Sequence, residues 1–167
     1  GQGLTEPADI FYFVRNGIIQ HFKQGEGGQK DGMDATLCTL TRDKDQVTLR
    51  CACANNPLFI IRKADDKLLS VTSSLNGKSS SHELDPMLEE NGLALFQIKE
   101  DRQPVGFLSE EQEPFTNHKV QLLPGDIVYT FSDGFQDQFG GPKGKKFMIK
   151  RLKNLLIEVA PQPLDAQ

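Results

Sequence analysis

The sequence predicts an α+β domain built in layers, with mostly antiparallel sheets held between helices. Two observations predict it. Apolar residues recur at helical spacing near both ends of the chain, and between them short strand-like segments follow one another in series. At 167 residues, the chain is long enough for one domain with a sizeable core. Its 37% hydrophobic content excludes a wholly disordered chain, and no internal repeat is visible.

The elements follow in order. Thr5, Glu6 and Pro7 form a helix entry, with Pro in the first turn. Ile10, Val14, Ile18 and Phe22 then make an apolar stripe, ended by the glycine-rich run 25–28. Residues 35–40 are rich in strand-compatible types, and a charged turn at 42–45 leads into alternation over 47–53. Asn55-Asn56-Pro57 is a turn, Leu58 to Ile61 a strand, and Lys67 to Val71 its expected hairpin partner. The polar, Ser-rich segment 72–92 reads as a mobile loop or insertion.

Strand character returns over Leu93 to Lys99 and His118 to Leu122, separated by a turn at 102–106 and an acidic patch at Glu110, Glu111 and Glu113. Pro124-Gly125-Asp126 is a turn, and Ile127 to Phe131 a compact, buried strand running into Ser132-Asp133-Gly134. A last helix follows Gly140-Gly141-Pro142, with Met148, Leu152, Leu155, Leu156 and Val159 on one face and Pro161 at its end.

Composition narrows the function classes. With 23 acidic and 19 basic residues and a net charge of −4, the chain lacks the basic stripe of a nucleic-acid binder. No apolar run approaches the roughly 20 residues that cross a bilayer, so no membrane contact is expected. Cys38, Cys51 and Cys53 read as small core residues of a reducing compartment, which points to the cytoplasm. His21, His82 and His118 share no ligand spacing. The chain begins at Gly1 with a helix entry close behind, and it reads as a piece of something longer.

The most informative local feature is the strand that ends in Ser132-Asp133-Gly134. A carboxylate fixed at a strand end beside Gly suits a hard metal ion, and Asp137 one turn later could orient Asp133 or its bound water. On the tripeptide alone, a generic turn with Asp capping a helix is the favoured reading. The basic stretch Lys143 to Lys153 reads either as a solvated helix face or as a patch attracting phosphorylated or acidic partners.

Context sharpens the first of these signals. Asp31-Gly32-Met33-Asp34, Cys53-Ala54-Asn55-Asn56-Pro57 and Leu123-Pro124-Gly125-Asp126 precede Tyr129 to Phe135, and Gln138 to Phe147 follow. In that order these words resemble the SpoIIE-type branch of the metal-dependent protein Ser/Thr phosphatases (the PPM family), as found in output domains of bacterial multi-domain sensor proteins. The resemblance implies an αββα sandwich and two Mn²⁺ or Mg²⁺ ions at the sheet edges. It also implies hydrolysis of phosphoserine or phosphothreonine by metal-bound hydroxide. Carried over residue by residue, it makes Asp133 a direct metal ligand and Gly134 the adjoining glycine. Asp31 and Asp34 fall in a structural word, and Asn55 and Asn56 in a turn near the site.

The implied substrate is a phosphorylated regulatory protein, such as an anti-sigma-factor antagonist in bacterial signal transduction, with sensor domains in the parent chain. Two family words are missing. No Gly-His-Gly occurs anywhere, and the only Asp-Asp, Asp65-Asp66, lies in a mid-chain turn. One carboxylate cannot hold a catalytic pair of hydrated ions. The expectation is therefore a partial phosphatase domain over 1–167, truncated at both ends and weak or inactive alone. The alternative is a non-catalytic interaction module that keeps the scaffold.

Overall fold

The structure is a computed structural model that describes residues 5–23, 32–66, 68–107, 113–140 and 144–167. The expected glycine-rich helix stop at 25–28, Asp31, Lys67, Glu110, Glu111 and Gly141 to Lys143 lie outside the described residues.

The elements are α1 (Pro7–Lys23), β1 (Gly32–Met33), β2 (Ala35–Asp43), β3 (Gln46–Ala54), β4 (Leu58–Lys63), β5 (Leu69–Leu75), β6 (Lys78–Leu84), β7 (Leu88–Glu90), β8 (Leu93–Ile98), β9 (Val105–Gly106), β10 (Asn117–Leu122), β11 (Ile127–Tyr129), α2 (Asp133–Gln136), β12 (Phe139–Gly140), β13 (Lys145–Lys146) and α3 (Met148–Val159), with a closing 3-10 turn at Leu164–Ala166. The first large sheet runs β2-β3-β10-β5-β6 and the second β11-β4-β8-β7, and every pairing within them is antiparallel. Short ladders join β1 to β9 and β12 to β13.

Alternation along each strand builds four layers. Leu49, Cys51, Val71 and Val120 of the first sheet meet Leu58, Ile60 and Phe96 of the second in the central core. The opposite face of β4, Phe59 and Ile61, packs with Leu95 against Ile157 and Ala160 at the end of α3. Because β4 is covered on both sides, its sequence is a continuous apolar run rather than an alternating one. On the other flank, Ala8 and Phe11 of α1 cover Ala52 and Ala54 of β3, with Val105 and Phe115 beside them. The order helix, sheet, sheet, helix is the α+β sandwich expected from the sequence.

Several local expectations change. The stripe Ile10, Val14, Ile18 and Phe22 is only half-buried, whereas Ala8, Phe11 and Arg15 turn inward. Arg15 is buried because its guanidinium donates to Gln103 Oε1 (3.0 Å) and the Glu113 carbonyl (2.7 Å), and lies 4.3 Å from the Phe115 ring centre. Such pairing is what permits a cation in a core.

β5 does not return along β4. It crosses to the first sheet and pairs with β10 and β6, since β4 is already flanked by β11 and β8. The segment 72–92, expected as a loop, instead holds the end of β5 and all of β6 and β7. Asn76 (φ 51°) and Gly77 (φ 74°) supply the two left-handed residues of a tight hairpin turn. Thr72 bonds Ser81 (2.8 Å) and Ser74 bonds Ser79 (2.7 Å) across the strands, so hydroxyl pairs replace the missing apolar pattern. β11 is shorter than expected and half-buried, because it is an edge strand. In α3 it is Leu152 and Ile157 that are fully buried, while Met148 is exposed.

One polar cluster ties the sheets together. Arg62 of β4 makes a two-pronged contact with Asp126, Nε to Oδ1 at 2.9 Å and Nη2 to Oδ2 at 2.7 Å, with side chains 4% and 2% exposed. Its remaining donors reach the carbonyls of Leu68 (2.7 Å) and Gln121 (3.2 Å). Asp126 also accepts from the Leu123 backbone N–H at 2.8 Å, which closes the Pro124-Gly125 turn. Removing one partner strands a buried charge, at a cost of about 3–5 kcal/mol. Asp126→Leu should therefore lose about that much in urea denaturation, and Arg62→Met, Asp126→Leu together should recover much of it. A single-variant loss within experimental error would show that the pair is not what holds this corner.

Candidate functional site

Asp133 is placed by the edge strand before it. β11 lies on β4 in the register Ile127 to Ile61 and Tyr129 to Phe59, which carries the following residues past the start of β4. Phe131 then stacks on Phe59 with ring centres 5.0 Å apart. Ser132 is extended (φ −98°, ψ 163°), and Asp133 opens the single turn of α2 with its side chain exposed. Gly134 follows in that turn. A Cβ there would meet nothing closer than Ser132 Oγ at 3.4 Å, so steric room does not by itself demand glycine.

The turn Asn55-Asn56-Pro57 lies at the same end of the sandwich, because it enters β4 at Leu58. Asn55 is held at φ 58°, a conformation Asn tolerates better than most residues. Its Nδ2 donates to Asp34 Oδ1 at 2.7 Å and its backbone N–H to the Asp101 carbonyl at 2.9 Å. Thr36 Oγ1 donates to the carbonyl of the buried Asn56 at 2.8 Å. Asp101 in turn accepts from the Thr116 N–H (2.7 Å) and hydroxyl (2.9 Å). Gly32 permits the close approach that holds the neighbouring β1 ladder, since a Cβ there would meet Pro104 Cβ at 3.0 Å and Gly106 Cα at 3.2 Å. The words around Asp34, Asn55 and Asp133 are thus brought to one end of the molecule, although they are far apart in sequence.

Asp137 has a different partner from the one its spacing suggested. Its backbone N–H donates to the Asp133 carbonyl at 2.9 Å, while its carboxylate pairs with Lys146 Nζ at 2.8 Å. The pair bridges α2 to the β12–β13 ladder. Lys153, counted in the sequence among the outward cations, turns to the second sheet. Its Nζ donates to Gln97 Oε1 at 2.8 Å and lies 5.3 Å from the Phe59 ring centre, and burial lowers its pKa while Glu100 raises it.

Sequence reasoning missed the Arg62–Asp126 and Asp34–Asn55 pairings. A lone Arg inside the apolar run of β4 was the available signal for the first.

These residues do not by themselves fit a pair of divalent ions. The carboxylates of Asp34 and Asp101 are engaged by Asn55 and Thr116. Among the described residues, no three His, Cys, Asp or Glu side chains come together as a metal site. Nor do the thiols offer a nucleophile. Burial, then Cys53, pushes Cys38 up to about 11, and the hydrogen bond with Cys53, then burial, pushes Cys51 up further.

The family model of Stage II sporulation protein E (SpoIIE) matches residues 79–167, more than half of the chain. The chain belongs to the SpoIIE family. The match takes in the Pro124-Gly125-Asp126 and Ser132-Asp133-Gly134 words, and it begins inside the Ser-rich hairpin. No curated protein and no solved structure matches the chain. SpoIIE domains are phosphatase-type and generally metal-dependent. No helix among the described residues of this SpoIIE domain is long and apolar enough to cross a membrane.

One titrating group sits between the strands of the first sheet. His118 Nδ1 is 3.0 Å from Ser73 Oγ, and burial lowers its pKa below the ordinary 6.5, with His82 adding to the effect and Asp101 opposing it. Below pH about 6.5 the unfolded chain takes up a proton that the folded chain resists. Stability should therefore be full above that pH and fall as the solution is acidified. In His118→Gln the fall between pH 7 and pH 5 should be shallower in thermal melts. An unchanged acid limb would place the titration elsewhere.

Proposed function

We propose that this SpoIIE domain serves the metal-dependent removal of phosphate from phosphoserine or phosphothreonine in a bacterial regulatory protein. Such a substrate would be an anti-sigma-factor antagonist or another member of a signalling output. The observation that carries the reading is Asp133, presented at the end of β11 within the family-matched region and facing solvent at the end where Asp34 and Asn55 also gather. A carboxylate there is a ligand for Mn²⁺ or Mg²⁺, and such ions neutralise phosphate charge and make hydroxide available near neutral pH. The other ligands would have to come from outside the described residues. We assign Asp133 as the metal ligand of this chain, with Gly134 in the same word, and no catalytic base. Asp137, whose Oδ1 pairs with Lys146, would orient Asp133 or its bound water. The domain would work in the cytoplasm under the control of a sensor, without nucleic acid or membrane contact by this segment.

The second reading is a non-catalytic interaction module on the same scaffold. It is favoured by one specific observation, the engagement of Asp34 and Asp101 by Asn55 and Thr116, which leaves Asp133 without a carboxylate cluster among the described residues.

Hydrolysis of a phosphoserine peptide with added Mn²⁺ separates the two, measured on this chain and on the full product of its gene. The phosphatase reading expects activity in the gene product that falls at least about a hundredfold in Asp133→Asn, and weak or no activity in the chain alone. Activity indifferent to that substitution would sink the assignment of Asp133.

A further inference from the structure

The last third of the chain carries an exposed apolar surface outside the Asp133 site, floored in part by core side chains such as Leu152 and Leu156. Phe135, two residues after Asp133, is wedged between two adjoining cavities of about 360 and 380 Å³ that also share Leu155 of α3. The first is walled by Phe139 and Phe147, with Lys145 and Arg151 at its rim. The second continues between α3 and the end of β11, over Leu152, Leu156 and Leu164. Phe139 is 74% exposed, and Phe135, Met148 and Leu164 are exposed as well. Patches of this kind on a protein surface mark interaction sites.

The frame of the groove is fixed rather than loose. The Phe147 N–H donates to the Gln138 carbonyl at 2.8 Å, Phe135 and Phe147 meet edge to face at 5.6 Å, and Lys146 is held by Asp137. Its charge is one-sided. Between Gly144 and Lys153 stand five basic residues and no acidic one, in a chain whose net charge is −4. Lys146 is paired with Asp137 and Lys153 turns inward, while Lys145 and Arg151 line the first cavity and face solvent.

We propose that this groove docks an acidic protein segment bearing bulky apolar side chains, and that the segment belongs to the phosphorylated substrate. The apolar anchors fill the floor, and the acidic residues meet Lys145 and Arg151. Phe135 lies in the same helical turn as Asp133, so the groove begins two residues from that carboxylate along the chain. Naming the segment as the substrate's rests on the phosphatase reading; the docking surface does not.

The test uses fluorescence anisotropy with three labelled synthetic peptides on the 167-residue chain. One is rich in Glu with Leu and Phe anchors, the second replaces its Glu by Lys, and the third replaces its anchors by Ser. The first should bind at least about tenfold more tightly than the others, and more weakly as salt rises. Phe139→Ala, and separately Lys145→Glu with Arg151→Glu, should each weaken it by about tenfold. All three positions are exposed, so circular dichroism should show the fold intact. Equal binding of the Lys-rich peptide, or binding indifferent to both groove variants, overturns the proposal. So does concentration-dependent dimerisation that Phe139→Ala abolishes, which would give the groove to a second copy of the chain. If peptide selectivity holds while hydrolysis proves independent of Asp133, the phosphatase reading falls and the docking surface stands.

Discussion

The contact between Arg62 and Asp126 is the constraint on which the rest of the arrangement depends. A guanidinium buried in a β-strand needs partners for its donors, and here they come from three separate segments. They are the Asp126 carboxylate and the carbonyls of Leu68 and Gln121, with Arg62 itself on β4. Those segments belong to both sheets, so one planar group sets how the sheets meet at that corner. It also fixes where β11 starts. With Asp126 locked opposite Arg62, Ile127 must lie against Ile61, and a slip by one residue would turn the strand over and break the ion pair. Asp133 is consequently delivered to the far end of the sandwich, past Leu58.

That far end has its own lattice of bonds. Asn55 reaches both Asp34 and Asp101, and Asp101 holds Thr116 ahead of β10. The backbone bridge between Ala54 and Asp101 links β3 to the exit of β8. Two corners, one built on a buried arginine and one on exposed amide and carboxylate groups, thus clamp the sheets at opposite ends. The helices pack on this frame, α1 through Phe11 and Arg15, and α3 through Leu152 and Ile157.

Much of the fold was legible in the sequence. Strands with clean alternation, such as β3, and the helix entry at Pro7 follow from periodicity and turn chemistry alone. Pairing partners were not legible, because the apolar run of β4 has no polar face to say which neighbour it takes. The Ser-rich hairpin misled for a related reason. Its strands are solvent-facing, so their cohesion lies in Thr72–Ser81 and Ser74–Ser79 bonds rather than in an apolar pattern. For the site, Asp133 and its word were visible through the resemblance to SpoIIE-type phosphatases, a family the chain is found to belong to. The spacing of Asp137 suggested a role beside Asp133, and the structure gives its carboxylate Lys146 as a further partner. Sequence spacing within one turn does not reveal a partner arriving from a neighbouring ladder.

The central claim is that the fold collects the words around Asp133, Asp34 and Asn55 at one end, where the proposed function would place a divalent cation. Paramagnetic broadening of backbone amides by added Mn²⁺, read from nitrogen-15 spectra of the chain, tests it most directly. The account predicts that Asp133 and Gly134 broaden first, that Asp34 and Asn55 follow, and that β6 on the edge of the first sheet stays sharp. Broadening centred on Asp65-Asp66 or on Glu89-Glu90, with Asp133 and Gly134 unaffected, would contradict it.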